Sequence, residues 1–574
     1  MIKPFNLLQN PSWKTLMLFT AILIGFSANS VLAQLPVLSW VTASGPKGSP
    51  LYHPVHAVDS AENVYVAGSF TDANIDFDTG SAQYNVPYFG NDDVFLAKYD
   101  PQGVLLWAFS FGTNSPSNET AFAIEVDQLG DVYISGIVFA GADFDPGPGT
   151  VLQPSGIYGF IAKYSPQGNL IWCNSVNVYP RDIVIDHAGD LAVTGYFNNT
   201  ADFDPGPGVT SFTSVFGEDI FLAKYSASGA LYWAFTVRST YPSNCVGAMG
   251  WSLGCDSNNN LLVQGRFKSS CDFDPGPATQ TLTAVSNITL SHFLAKYTTT
   301  GNYVWAFKLD LGIQASAIAV DTADNIVMGM SFGGSADIDP GPSVVTFSAT
   351  DPLDLAMIKY SPAGNLISSL LIPGSGVEYF YGISANGNSD IYITGMIMNT
   401  VDFDPGPGQW NVAPNGYIAK YSSQGSLIWA FSVAGLGDHA LEMPSGSIHW
   451  VGSMSLCADF DPGSAILNFC PGYTSGSGIF AAKYIPGSLT GAGENPIVQE
   501  VRIFPNPAGQ SLSISSEHVI NHITITDVRG TLIFDREYNS TTCSVNTGSF
   551  EPGLYFISVQ TDAGIKTVRV VIER

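Results

Sequence analysis

One short motif recurs seven times and sets what this chain can fold into. Phe-Leu-Ala-Lys-Tyr, or a near variant, places its lysine at Lys98, Lys163, Lys224, Lys296, Lys359, Lys420 and Lys483, 61 to 72 residues apart. Nine residues beyond five of these lysines stand Trp107, Trp172, Trp233, Trp305 and Trp429, and beyond Lys359 the same offset gives Ser368. A constant offset predicts a hairpin, with a turn such as Ser165-Pro166-Gln167-Gly168 between its strands. A second hairpin in each unit runs from a segment like Ala123–Asp127 to one like Val132–Gly136. Asp59, Asp186, Asp256 and Asp321 recur at the Asp127 position. Four short strands per unit, seven units and no helical period predict an all-β chain built on a seven-bladed β-propeller. An open solenoid would not fix the count.

The ends of the array predict how it closes. No Trp strand follows Lys483, while Val37-Leu38-Ser39-Trp40-Val41 has no lysine strand before it. The first strand of the mature chain should therefore pair with the Lys483 strand, joining the two ends and removing exposed sheet edges.

Both termini carry addresses. Lys3 and Lys14 precede an apolar run from Thr15 to Phe26 and a small-residue site ending Val31-Leu32-Ala33. Residues 1–33 read as a secretory signal peptide, because the run is too short for the ~20 residues that span a bilayer. The mature chain is expected to have no membrane span. Residues 34–485 are the propeller and 486–497 a Gly-rich linker. Residues 498–574 alternate apolar and polar in short runs and read as a small Ig-like β-sandwich.

Two family resemblances enter here. Phe504-Pro505-Asn506-Pro507, Leu512-x-Ile514, Ile525-x-Asp527-x-x-Gly530 and Pro552-Gly553-Leu554-Tyr555-Phe556 resemble the type A C-terminal sorting domain of type IX secretion, with Phe504 and Thr526 standing where Tyr is commoner. The resemblance implies transit through the periplasm, recognition by the type IX machinery, and release or attachment at the outer surface. Residues 38–484 resemble the secreted bacterial propeller repeats called SBBP repeats, a family that carries an architecture and no shared activity.

Composition narrows the partners. The net charge is −27, which argues against binding nucleic acid or docking on an anionic membrane. The most regular candidate for chemistry is Asp-x-Asp. Its first carboxylates are Asp76, Asp143, Asp202, Asp272, Asp337, Asp402 and Asp459. Its second carboxylates are Asp78, Asp145, Asp204, Asp274, Asp339, Asp404 and Asp461. Two carboxylates pointing the same way repel. Three readings stand side by side: Ca²⁺ bound by the seven loops, pairing with the recurring lysine of Ala-Lys-Tyr, and a solvated Asp-Pro-Gly turn.

The tryptophans Trp40, Trp107, Trp172, Trp233, Trp305 and Trp429 read as packing between blades rather than a sugar-stacking ring. Gly250-Trp251-Ser252-Leu253-Gly254 matches the nucleophile-elbow pattern, but it aligns with a strand of every other blade. His53, His56, His187, His292, His439, His449, His518 and His522 are scattered and read as surface or turn residues. Cys245–Cys255 and Cys457–Cys470 are expected bridges within single blades, and Cys173 a buried thiol.

No nucleophile, base and orienter stand together. The expected function is a non-catalytic exported module that binds a glycan or protein. The alternative is a glycoside hydrolase or polysaccharide lyase with its site at the axis. An arginine, histidine and acid converging there from different blades would favour the enzyme. Arg181, Arg238 and Arg266 are the arginines to locate, the propeller having no others.

Overall fold

The computed structural model describes residues 35–44, 54–487 and 501–572, apart from short stretches inside these ranges. The signal segment, most of the linker, His53, Cys245, Cys457 and Cys470 lie outside the described residues. Chain packing divides the protein into two units, Met1–Gly487 and Ser488–Arg574.

The first unit is all antiparallel β. Among the described residues it contains seven sheets built on four strands each. We number them along the chain by their first strands: Val55–Val58, Thr120–Val126, Tyr179–Ile185, Met249–Cys255, Gly312–Val320, Glu378–Ala385 and Leu436–Glu442. In sheets 1 to 6 the four strands pair in their order along the chain. Tight turns join the first to the second and the third to the fourth, and a longer arm carrying Asp-x-Asp joins the second to the third. Sheet 7 takes its fourth strand from the other end of the chain. Val37–Ser44 pairs antiparallel with Gly478–Ile485, setting Trp40 opposite Lys483, as the unmatched ends predicted. Elsewhere the same position sets Trp107 opposite Lys98 and Trp172 opposite Lys163.

Second and third strands, such as Val64–Phe70 and Asp93–Tyr99, are buried along their whole length. Covered on both faces, they read as near-continuous apolar runs. The apolar clusters lie between sheets rather than within them. One joins Leu96 and Phe111 of sheet 1 to Ile134 and Phe160 of sheet 2, and another joins Phe95 of sheet 1 to Val451 and Ile479 of sheet 7. The first strands of successive sheets adjoin one another, and that of sheet 7 adjoins that of sheet 1.

The second unit is one five-stranded sheet: Val501–Phe504, Ser511–Asp527, Leu532–Asn546, Gly553–Thr561 and Gly564–Ile572. The long second strand pairs with the first over its opening half and with Gly553–Thr561 over its closing half. Register shifts near Ile520 let it bend between the two. Ala508 bridges back to Ile572, so the sheet curls over a core of Ile514, Ile523, Ile525, Ile557 and Val570.

Two expectations need correction. Cys255 is a free thiol, as are Cys173 and Cys543, so no Cys245–Cys255 bridge forms. Its sulfur instead reaches the Asp256 carbonyl at 3.5 Å. His56 and His449 are buried rather than at the surface or in turns, because strands with both faces covered carry them.

Candidate functional site

Five of the recurring lysines are buried, Lys359 and Lys420 are partly buried, and all seven pair with acids outside the Asp-x-Asp motif. Lys224 Nζ lies 2.7 Å from Asp186, Lys296 2.8 Å from Asp256 and Lys359 2.7 Å from Asp321. The expected pairing is corrected: Lys420 of sheet 6 meets Asp390 and Glu442, while in sheets 1 to 5 the partner is the aspartate at the Asp127 position of the same sheet. That aspartate uses its other oxygen to cap the hairpin turn, as Asp186 Oδ1 does for the Ala188 and Asp190 amides. Lys98 and Lys296 also donate to a turn carbonyl of the next sheet, Pro166 and Pro362. The indoles of Trp107 and Trp305 donate to these same carbonyls at 3.1 and 3.2 Å. Lysine and tryptophan thus latch each sheet to its successor. In sheet 7 the partner acid comes from sheet 1. Burial alone would raise Glu62, but hydrogen bonds from Lys483 and Ser445 pull it down to about 2.

The Asp-x-Asp triplets cap and anchor loop arms. In each sheet the residue between the two acids is buried, and its carbonyl accepts from the tyrosine of Ala-Lys-Tyr. Tyr225 Oη lies 3.1 Å from the Phe203 carbonyl and Tyr421 Oη 2.8 Å from that of Phe403. The seven first carboxylates, Asp76, Asp143, Asp202, Asp272, Asp337, Asp402 and Asp459, all do the same work. Each accepts from the backbone amide of its own second acid: Asp78, Asp145, Asp204, Asp274, Asp339, Asp404 and Asp461 respectively. Six of them also accept from the amide eight residues on, which closes the arm, as Asp202 Oδ1 does from Thr210 at 2.8 Å. The second carboxylates of Asp145, Asp204, Asp274, Asp339 and Asp404 cap the Pro-Gly turn, accepting from Gly147, Gly206, Gly276, Gly341 and Gly406. Asp78 precedes Thr79 and Asp461 precedes Pro462-Gly463-Ser464, so neither is followed by the full Pro-Gly-Pro of the middle copies. A Cβ on Gly208 would stand 2.0 Å from an Asp204 oxygen, which explains the glycine there. Each loop therefore gathers two of the fourteen acids named as calcium ligands, and backbone amides occupy one oxygen of every first acid and of five second acids. Among the described residues, no group of three or more His, Cys, Asp or Glu side chains is placed to hold a metal.

Residues that differ between sheets converge on the first strands. Six of these strands carry a register shift, which skips Phe122, Arg181, Trp251, Gln314, Tyr381 and Asp438. A bulge re-aims a skipped side chain, as at Phe122, Arg181 and Trp251. In sheets 2, 3 and 4 the re-aimed residues meet. The Arg181 guanidinium sits 4.3 Å over the Phe122 ring and 5.6 Å from that of Trp251. Arg266 reaches the same Trp251 at 5.4 Å. Trp251 is 40% exposed, although it lies within a strand. Tyr179 stacks on Tyr196 at 4.6 Å with an interplanar angle of 6°, and Tyr158 adjoins Tyr179 at 4.8 Å. Tyr158 also lines a cleft of about 630 Å³ beside Phe139 and Ile157. Arg238 lies apart, over Phe212.

Next along these strands lie two acids, and the charge of Asp182 acts on Glu125. Burial raises Glu125 to about 8, and the charge of Asp182 adds to the shift. Burial raises Asp182 to about 7, although Asp182 accepts from the Leu253 amide at 2.7 Å and the Ile183 amide at 2.9 Å. Across the joint of sheets 7 and 1, His56 packs edge-on against His439 at 5.6 Å, and neither His56 ring nitrogen has a hydrogen-bond partner. Burial, then the neighbouring histidines, hold His56 well below its ordinary value. Ser252 of the elbow-like pentapeptide lies in a strand and accepts from the Ile318 amide.

The sequence pointed to Arg181 and Arg266 and passed over Glu125 and Asp182. The missed signal was an acid on a first strand where other copies carry none. Val184, Gly254 and Ala319 stand at the Glu125 position, and Ala123, Ser252 and Ala317 at that of Asp182.

The family model for the secretion system C-terminal sorting domain matches residues 502–573. The chain thus carries an address for the type IX machinery and for export to the surface or medium. Among the described residues no helix is long and apolar enough to cross a membrane. An uncharacterised WD repeat-containing protein of Acanthamoeba polyphaga mimivirus is 22% identical over 437 residues, 64% of this chain and 31% of that protein. An endo-acting ulvan lyase of Formosa agariphila is 44% identical over 70 residues, 12% of this chain and 13% of that enzyme. The chain spans less than a third of the length of either relative. The type IX surface component PorZ of Porphyromonas gingivalis superposes with a TM-score of 0.24 at 11% identity, covering 91% of this chain and 82% of PorZ. A likeness that slight carries no argument.

Proposed function

We propose that the first unit is a seven-bladed β-propeller, exported by the type IX route, that cleaves an extracellular polysaccharide at its inner ring. The propeller reading is supported by the closed circuit of first strands and by the end strand that completes sheet 7. The catalytic reading is carried by one observation, the Glu125–Asp182 pair contributed by neighbouring sheets. Two carboxyls that share a site cannot both ionise cheaply. With Glu125 at about 8 and Asp182 at about 7, the pair retains protons at neutral pH. A carboxyl that keeps its proton at pH 7 can protonate a leaving oxygen, and an ionised partner can accept a proton. The seven Asp-x-Asp loops, one per sheet at different azimuths, serve as arm anchors in this reading rather than as calcium sites.

The test is polysaccharide depolymerisation by the full chain, read as new reducing ends across acidic and neutral substrates. Glu125→Gln keeps the shape and removes the proton donor. It should lower turnover by about a hundredfold or more, within the usual span of general acid–base catalysis. Unchanged turnover in the variant would refute the assignment. The second reading, a binding module without catalysis, is favoured by the hydrogen bonds that tie Asp182 to backbone amides. It predicts saccharide binding without new reducing ends.

A further inference from the structure

We propose that Arg181, Trp251 and Arg266 form a subsite for an acidic sugar ring bearing a carboxylate or a sulfate. The proposal rests on the polysaccharide reading above and names the class of saccharide. Three features carry it. The first is a flat apolar surface that solvent reaches: Trp251 is 40% exposed on a bulge that turns it out of the strand ladder. The apolar face of a sugar ring stacks on such a surface. The second is charge. Two guanidinium groups flank this indole at 5.6 and 5.4 Å, in a chain of net charge −27. Burial, then the charge of Arg181, lowers Arg266 from its ordinary value, and the charge of Glu218 offsets part of this. Both Nε atoms are buried without a hydrogen-bond partner. Guanidinium groups bind carboxylate and sulfate oxygens through paired N–H donors, and an anion placed between them relieves both the repulsion and the unmet donors. The third is position. Arg181 directly precedes Asp182 on one strand, so the subsite adjoins the carboxyl pair.

A dense polyanion such as nucleic acid does not fit, because Arg238 is the one other arginine in the repeat region and it lies elsewhere. A single anionic group beside a flat ring face does fit.

The experiment is isothermal titration of the full chain with oligogalacturonate, a sulfated oligosaccharide and maltohexaose. One or both acidic ligands should bind, the neutral one should bind at least about tenfold more weakly, and affinity should fall as salt rises. Arg181→Gln and Arg266→Gln should each weaken acidic-ligand binding at least about tenfold, as loss of a desolvated charge partner does. Arg238→Gln should match the parent. Thermal unfolding of each variant shows that it is folded. Which acidic ligand binds decides between carboxylate and sulfate. Equal binding of acidic and neutral ligands, no acidic binding at all, or acidic binding untouched by both arginine variants would overturn the subsite. Cleavage of a neutral polysaccharide that survives Arg181→Gln would also overturn it, while leaving the catalytic reading of Glu125 and Asp182 standing. Acidic binding lost in the arginine variants, with no cleavage by the parent chain, would support the subsite and overturn catalysis.

Discussion

At the scale of single residues, the acids on the first strands and the groups where sheets 7 and 1 meet predict opposite responses to pH. Glu125 and Asp182 sit above their ordinary values of 4.5 and 3.8, at about 8 and 7. The folded chain then holds more protons than the unfolded one across that window, so their contribution favours folding below pH 4 and is lost as pH rises to 8. Thermal unfolding of the parent and of Glu125→Gln should show this as a difference in melting temperature that favours the variant increasingly from pH 5 to pH 8. Parallel curves would refute the shifts. On the acid side the sign reverses. Burial, with the Lys483 charge, depresses His449 to about 4, and hydrogen bonding holds Glu62 at about 2. Stability from these groups is present above pH 6.5, falls as His449 takes up a proton toward pH 4, and falls again as Glu62 does toward pH 2. The sequence shows that Glu125 and Asp182 have no counterpart in other copies, but not that they meet. Glu125 lies in a seven-residue strand that resembles its counterparts in the other sheets, and only the neighbouring strand supplies Asp182.

At the scale of elements, the repeated arm is the clearest case of a motif whose regularity reflects structure. Its buried aromatic fills the space between adjacent sheets: the Phe144 ring lies 5.2 Å from Phe111 of sheet 1 and 5.2 Å from Phe160 of sheet 2. In the proposed propeller adjacent sheets diverge outward, and the arm supplies the apolar volume that the strands do not. Capping and calcium binding make different predictions for one pair of variants. Asp202→Ala removes the acceptor for two backbone amides and should cost about 1–3 kcal/mol. Asp202→Asn keeps a side-chain oxygen there and should cost little. Added Ca²⁺ should leave both melting temperatures, and the parent's, unmoved. A Ca²⁺-selective rise in the parent, lost in Asp202→Asn, would restore the calcium reading. The sequence made the arm visible because Asp, Pro and Gly are required at fixed offsets within it. It hid the lysine's true partner because two aspartate series recur with the same period, and spacing alone does not say which one lies beside the ammonium.

At the scale of the whole first unit, closure depends on one eight-residue strand. Val37–Ser44 covers the edge of Gly478–Ile485, and Trp40 donates to the Pro101 carbonyl of sheet 1 at 2.9 Å. Lys483 meets Glu62 of sheet 1 at the same joint. Deleting residues 35–44 should expose that edge and lower the melting temperature of the entire unit, with faster amide exchange first in sheets 7 and 1. Exchange confined to sheet 7 would show that the sheets do not depend on one another through a ring.

The sequence by itself determined the repeat, the four strands of each sheet, the strand that completes the seventh and the export address at the C-terminus. All of these rest on local periodicity, turn chemistry and motif spacing, which the chain carries in linear order. The tertiary structure alone decided which acid meets each lysine, and that Phe122, Arg181 and Trp251 would share one place beside Glu125 and Asp182. Those residues belong to three separate copies of the repeat. They meet because first strands of successive sheets adjoin and each carries a bulge at the same height, and no interval along the chain encodes that juxtaposition.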